Sequence, residues 1–136
     1  MRVRGALLVV VCALVLTACG SDSPTEPAAC TNIGGPWRVL FRSSCGTQWS
    51  DSIVIRQTGC SFEGAGMVIP ISFTGEVSGN AVSIRIAFSG ACPATATGTG
   101  EIRLDGVEGA FQAAGAGGAG CCGASFTGNF SFLPPK

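Results

Sequence analysis

From residue 37 onward, apolar residues fall at every second position, run after run, and no stretch recurs at helical spacing. A strand with one buried face has period two, whereas a helix has period 3.6. Eight such runs are present. Trp37, Val39 and Phe41 oppose Arg38 and Arg42. Ile53 and Ile55 point in and Arg56 out. Phe62, Gly64 and Gly66 oppose Ser61 and Glu63, and Ile71, Phe73, Gly75 and Val77 oppose Ser72, Thr74 and Glu76. Val82, Ile84, Ile86 and Phe88 oppose Ser83, Arg85 and Ser89. Gly98, Gly100, Ile102 and Leu104 oppose Thr97, Thr99, Glu101 and Arg103. Val107, Gly109 and Phe111 oppose Glu108 and Gln112, and Phe126, Gly128, Phe130 and Phe132 oppose Ser125, Thr127, Asn129 and Ser131. The inward face so defined carries no charge and almost no polar group.

Thr58-Gly59, Ser78-Gly79 and Asp105-Gly106 have the form of two-residue hairpin loops. With residues 57 and 60 as the first pair, Ile55 faces Phe62 and Ile53 faces Gly64. The second loop sets Phe73 against Ile84 and Gly75 against Val82. The third sets Ile102 against Gly109, Gly100 against Phe111 and, outside, Arg103 against Glu108. All three keep the apolar face inward, which a one-residue slip would reverse. Glycines opposite large side chains suit a tightly curled interior. The expected fold is all-β: a small eight-stranded antiparallel up-and-down barrel, or a barrel-like sandwich, stapled by disulfides.

A meander sorts its loops. The tight turns share one end, and longer loops at about 43–50, 89–93 and 113–124 share the other. Cys30 enters the first strand beside Cys60 at the tight end, which predicts Cys30–Cys60. Cys45, Cys92, Cys121 and Cys122 fall at the loop end. Neighbouring cysteines rarely bridge each other, so Cys45 and Cys92 each take one of Cys121 and Cys122. Which takes which stays open. Six cysteines without Cys-x-x-Cys or histidine point to bridges rather than a metal.

The amino-terminal stretch sets the compartment. Arg2 and Arg4 precede an apolar segment, Gly5 to Leu16, of the length of a secretory signal and too short to span a membrane. Leu16-Thr17-Ala18-Cys19 closes it and resembles the lipobox of bacterial lipoproteins. That resemblance implies diacylglyceryl transfer to the Cys19 thiol, cleavage before Cys19 and acylation of the new terminus, anchoring the chain in a membrane. Gly20 after the cysteine implies the outer membrane where the cell has one. The expected organisation is a signal peptide at 1–18, a lipid-anchored tether at 19–29 rich in Ser, Pro and Thr, and one domain at 30–136.

Losing 18 of 136 residues leaves 118, with six basic and eight acidic side chains. That balance offers no nucleic-acid footprint. Histidine and tyrosine are absent, removing the commonest general base and a common metal ligand. Ser43, Ser44 and Ser50 therefore lack an activating base. Asp51 reads as a turn residue heading its strand, and Asp105 and Glu108 as solvated structure. Gly115 to Gly120 matches dinucleotide glycine spacing, but joins two strands where that motif needs a helix. No enzyme activity, cofactor or metal is expected.

Gly35-Pro36-Trp37 resembles the Gly-x-Trp of lipocalins, whose tryptophan packs across the closed barrel end. With the meander it is similar to the calycin barrels, and it implies architecture without binding residues. The loop end remains as the functional surface, with Trp49 as its one large loop aromatic. The expected role is a non-enzymatic envelope lipoprotein that binds a small apolar ligand or an envelope protein there. The alternative is a structural protein with a filled barrel.

Overall fold

A computed structural model describes residues 29–115, 117 and 121–136. Cys19, the leader and most of the tether lie outside the described residues. Eight strands follow one another: β1 (Gly35–Ser43), β2 (Gln48–Thr58), β3 (Ser61–Gly66), β4 (Ile71–Ser78), β5 (Ala81–Phe88), β6 (Ala94–Arg103), β7 (Gly106–Gly115) and β8 (Ser125–Leu133). Each pairs antiparallel with the next, and β8 returns to β1, so the sheet closes into a barrel rather than a sandwich. Closure leaves no edge strand unpaired.

The inward faces are those the alternation assigns, but the hairpin partners are displaced by two residues. Ile55 faces Gly64 rather than Phe62, and Phe73 faces Ile86 rather than Ile84. Ile102 faces Val107 rather than Gly109. The turn residues are Gly59-Cys60, Gly79-Asn80 and Leu104-Asp105. Gly59 and Gly79 hold φ of 60° and 59° as the first turn residue, the II′ arrangement, rather than the second. A two-residue shift leaves every side chain on its face, so alternation cannot detect it. Outside, Arg103 bridges Glu101 at 3.3 Å and Glu108 at 3.9 Å, and the two carboxylates are the actual cross-strand pair.

The observed pairings give the inward glycines a sharper purpose. Phe73 stands opposite Gly64, Phe62 opposite Gly75, Phe130 opposite Gly109, and Phe111 opposite both Gly98 and Gly128. A Cβ on Gly64, Gly75, Gly109 or Gly128 would come within 2.7 Å of the facing ring. The rings lie across bare backbone, which lets the strands curl while the interior stays filled. Phe41, Phe130, Phe132, Ile53, Ile86 and Val39 are fully buried among them.

The segment before β1 seals the tight end. Ile33 is 1% exposed. Its N–H donates to Gln57 Oε1 at 2.7 Å, while Gln57 Nε2 donates to the carbonyls of Thr31 and Gly59. Thr31 Oγ1 donates to Gly79 O at 2.8 Å, and Cys30 is joined to Cys60 with Cα atoms 5.2 Å apart. Trp37 packs at this end and donates its indole N–H to Ile33 O at 2.8 Å.

Two expectations about the interior need correction, that Asp51 is a turn residue and that the inward face carries no charge. Asp51 is no turn residue: it sits within β2, 8% exposed, on the inward face. The open end also carries a fourth loop, residues 67–70, and Asp51 holds it. Asp51 Oδ2 accepts from Val68 N and Ile69 N at 2.8 Å each, and Oδ1 accepts from Ser52 N at 2.7 Å. Gly66 makes room, since a Cβ there would stand 2.7 Å from Oδ2. Burial pushes the Asp51 carboxyl up, but the N–H groups of Val68, Ile69, Ser52 and Met67 outweigh it, leaving it below the usual carboxylate value.

Candidate functional site

The open end is where strand ends present large apolar groups with no plug among the described residues. The inward position nearest the mouth is Trp49 on β2, Phe88 on β5 and Phe126 on β8, all half-buried. Phe111 joins their rings into one chain of tilted and edge-on contacts: Trp49 to Phe88 at 5.8 Å, Phe88 to Phe111 at 6.3 Å, and Phe111 to Phe126 at 6.2 Å. Phe41 closes the floor, 5.8 Å from Phe88. Trp49 was expected in a loop; it belongs to β2, opposite Phe41, because β1 and β2 keep pairing out to Arg42 and Gln48.

Above these rings lies a cavity of about 210 Å³. Its remaining lining is small: Ala91, Pro93, Ala94, Gly115, Gly117 and Gly123, with Thr47 and the half-cystines Cys92, Cys121 and Cys122. None of the described residues that line it is charged. Cys45 is joined to Cys122 and Cys92 to Cys121, with Cα separations of 5.6 and 5.5 Å, which settles the open pairing. Two adjacent residues of the β7–β8 loop are thus fastened to different neighbouring loops, one on each side.

Hydrogen-bonding capacity at the mouth is sparse. Thr47 offers a hydroxyl, and the Trp49 indole N–H has no partner among the described residues, unlike that of Trp37. No group of three or more His, Cys, Asp or Glu among the described residues could hold a metal. Of the residues singled out from the sequence, the fold brings Trp49, Cys92, Cys121 and Cys122 to one cavity. Cys45 stands beside it, and Cys30 and Cys60 lie at the other end. Phe88 and Phe126 went unrecognised as site residues. Carrying the alternation to the last inward position of each strand at the loop end would have found them.

Two larger concavities, of about 720 and 600 Å³, lie on the outer wall. They are open grooves over the glycine positions Gly75, Gly98 and Gly128, edged by outward residues such as Arg56, Arg85, Arg42 and Gln112. Nothing in them converges on a point.

No family model and no curated protein matches the chain. Among solved structures it is similar to EF1p2_mFAP2b bound to DFHBI, with a TM-score of 0.60 and 14% identity, covering 76% of this chain and 94% of that one. A redesigned beta barrel, b11L5F_LGL, aligns with a TM-score of 0.47 and 15% identity over 76% and 92% of the two chains. At 14% identity the likeness to EF1p2_mFAP2b is one of fold.

Proposed function

We propose that this chain is a non-enzymatic, lipid-anchored envelope protein whose barrel mouth binds a small apolar molecule. The observation that carries the reading is the cavity of about 210 Å³ with an aromatic floor and an uncharged wall. A pocket lined by apolar groups with a few polar ones is the usual form of a small-molecule site. The barrel below is solid with phenylalanine, so the ligand sits at the mouth rather than along the axis. EF1p2_mFAP2b, similar in fold, carries DFHBI, which supports a small-molecule role for this barrel too. Among the described residues the lining supplies a single hydroxyl, Thr47, and no base to activate it, which favours binding over catalysis.

Anchoring rests on Leu16-Thr17-Ala18-Cys19. A tether joined at Cys30 attaches to the closed end, so the mouth lies at the end remote from the attachment. Several acyl chains at Cys19 hold firmly where one would be marginal.

Native mass spectrometry of the chain purified from its own envelope tests both halves. The expected result is an acylated Cys19 terminus and an extra mass released on denaturation. An unmodified chain in the soluble fraction would overturn the anchor. A bare domain that stays bare after incubation with envelope extract would overturn the binding role.

A further inference from the structure

Resting on the reading of the mouth as a binding site, we infer that its ligand is a flat, uncharged molecule of one or two fused rings carrying a hydrogen-bond acceptor. The lining sets the first property. Its large groups are the rings of Trp49, Phe88 and Phe126, and the rest is alanine, glycine, proline, Thr47 and disulfide. Beside side chains of that size, the rings and the sulfur atoms are what a ligand meets. Ring faces and disulfide sulfur both favour an aromatic neighbour.

Size sets the second. A cavity of about 150 Å³ lined by apolar side chains takes benzene, and this one, at about 210 Å³, has room for a second ring but not for a long acyl chain. Charge sets the third. No lysine, arginine, aspartate or glutamate is among the described residues lining the cavity, so an ion entering it would lose water with no counter-charge to replace it. Asp51, the nearest inward carboxylate on the same strand, has its oxygens committed to the 67–70 loop. The last property follows from Trp49. Its indole N–H is the one ring-borne donor at the floor and has no partner among the described residues. An acceptor on the ligand would satisfy it.

The test is an NMR titration of the full chain, isotope-labelled and with its disulfides intact, using four probes: 2-naphthol, decanoate, 2-naphthoate and phenyltrimethylammonium. The expected result is saturable shifts at Trp49, Phe88, Ala94 and Phe126 with 2-naphthol and none of comparable affinity with the other three. Trp49→Phe keeps the ring and removes the donor, and should weaken 2-naphthol about 2–10-fold. Trp49→Leu should weaken it about tenfold or more through loss of ring contact. Decanoate, naphthoate or the ammonium probe shifting the same amides more tightly than 2-naphthol would overturn the ligand class while leaving the mouth as a site. Equal affinity in Trp49→Phe would overturn the acceptor contact. Silence at the mouth with all four probes would take down the binding role itself.

Discussion

The two ends of this barrel are built from the same strands and finished in opposite ways. At the closed end, three two-residue turns keep the rim tight, and Ile33, Gln57 and Cys30–Cys60 press the incoming chain across it. At the open end, the connections are longer, and two bridges fasten Cys121 and Cys122 beside a cavity rather than into the core. A disulfide therefore does different work at each end. At one it holds a plug whose apolar side chain fills the core; at the other it holds a wall around a space. The difference teaches that the bridges cannot be ranked by stability alone.

The largest expected effect is at the plug. Ile33→Ala removes a fully buried side chain whose surroundings are fixed by the Gln57 clasp, and should cost about 2–5 kcal/mol. Denaturant unfolding measures it. A cost below about 1 kcal/mol would mean that the segment before β1 lies on the barrel rather than in it.

The bridges come next and sharpen the contrast most. Replacing Cys30 and Cys60 by serine should cost about 2–4 kcal/mol, and so should replacing Cys92 and Cys121, since the spans they close, 30 and 29 residues, are alike. Binding should separate them. The first pair, removed below the unfolding transition, should leave 2-naphthol affinity unchanged, while the second should abolish saturable binding. If both variants bind alike, the rim bridge does not shape the cavity.

Between the ends, Gly109→Ala drives a methyl group into the Phe130 ring and the Thr99 carbonyl, and should cost about 1–3 kcal/mol. This belt shows how far the sequence reaches. Eight strands, their inward faces and the end on which each cysteine falls follow from period two and loop length, because both are local. Pairing of Phe73 with Ile86 rather than with Ile84 does not, because partners two residues apart satisfy the same alternation. What decides it is turn chirality, set at Gly79 by whether glycine is the first or second turn residue. The choice between Cys121 and Cys122 was equally invisible, since it depends on which side of one loop each faces. Asp51 was misread for a related reason: a carboxylate on an inward position looks misplaced until the 67–70 loop supplies the N–H groups it accepts.

Asp51→Asn should have a smaller effect, on the order of 1–2 kcal/mol, and one that depends on pH. The folded carboxyl is held below its usual value, so its contribution is complete above the ordinary carboxylate range and is lost as pH falls through that range toward the depressed value. The native chain should lose stability between about pH 5 and pH 2 more steeply than the variant. Parallel curves would show that the loop is held by its apolar contacts and not by the carboxylate.

Trp49→Ala should move stability least, by about 1 kcal/mol or less, despite removing the largest side chain at the mouth. Cost in a core substitution comes from a space that neither neighbours nor water can fill. Here the space already exists, and the cut only enlarges a cavity that opens to solvent. The ring leaves Phe88 more exposed but strips no buried polar group of its partner. A midpoint within a few degrees of the parent chain, with ligand response gone, is the expected thermal result. If Trp49→Ala destabilised as strongly as Ile33→Ala, the mouth would be one more layer of the core, and a barrel plugged at both ends would have no place to bind.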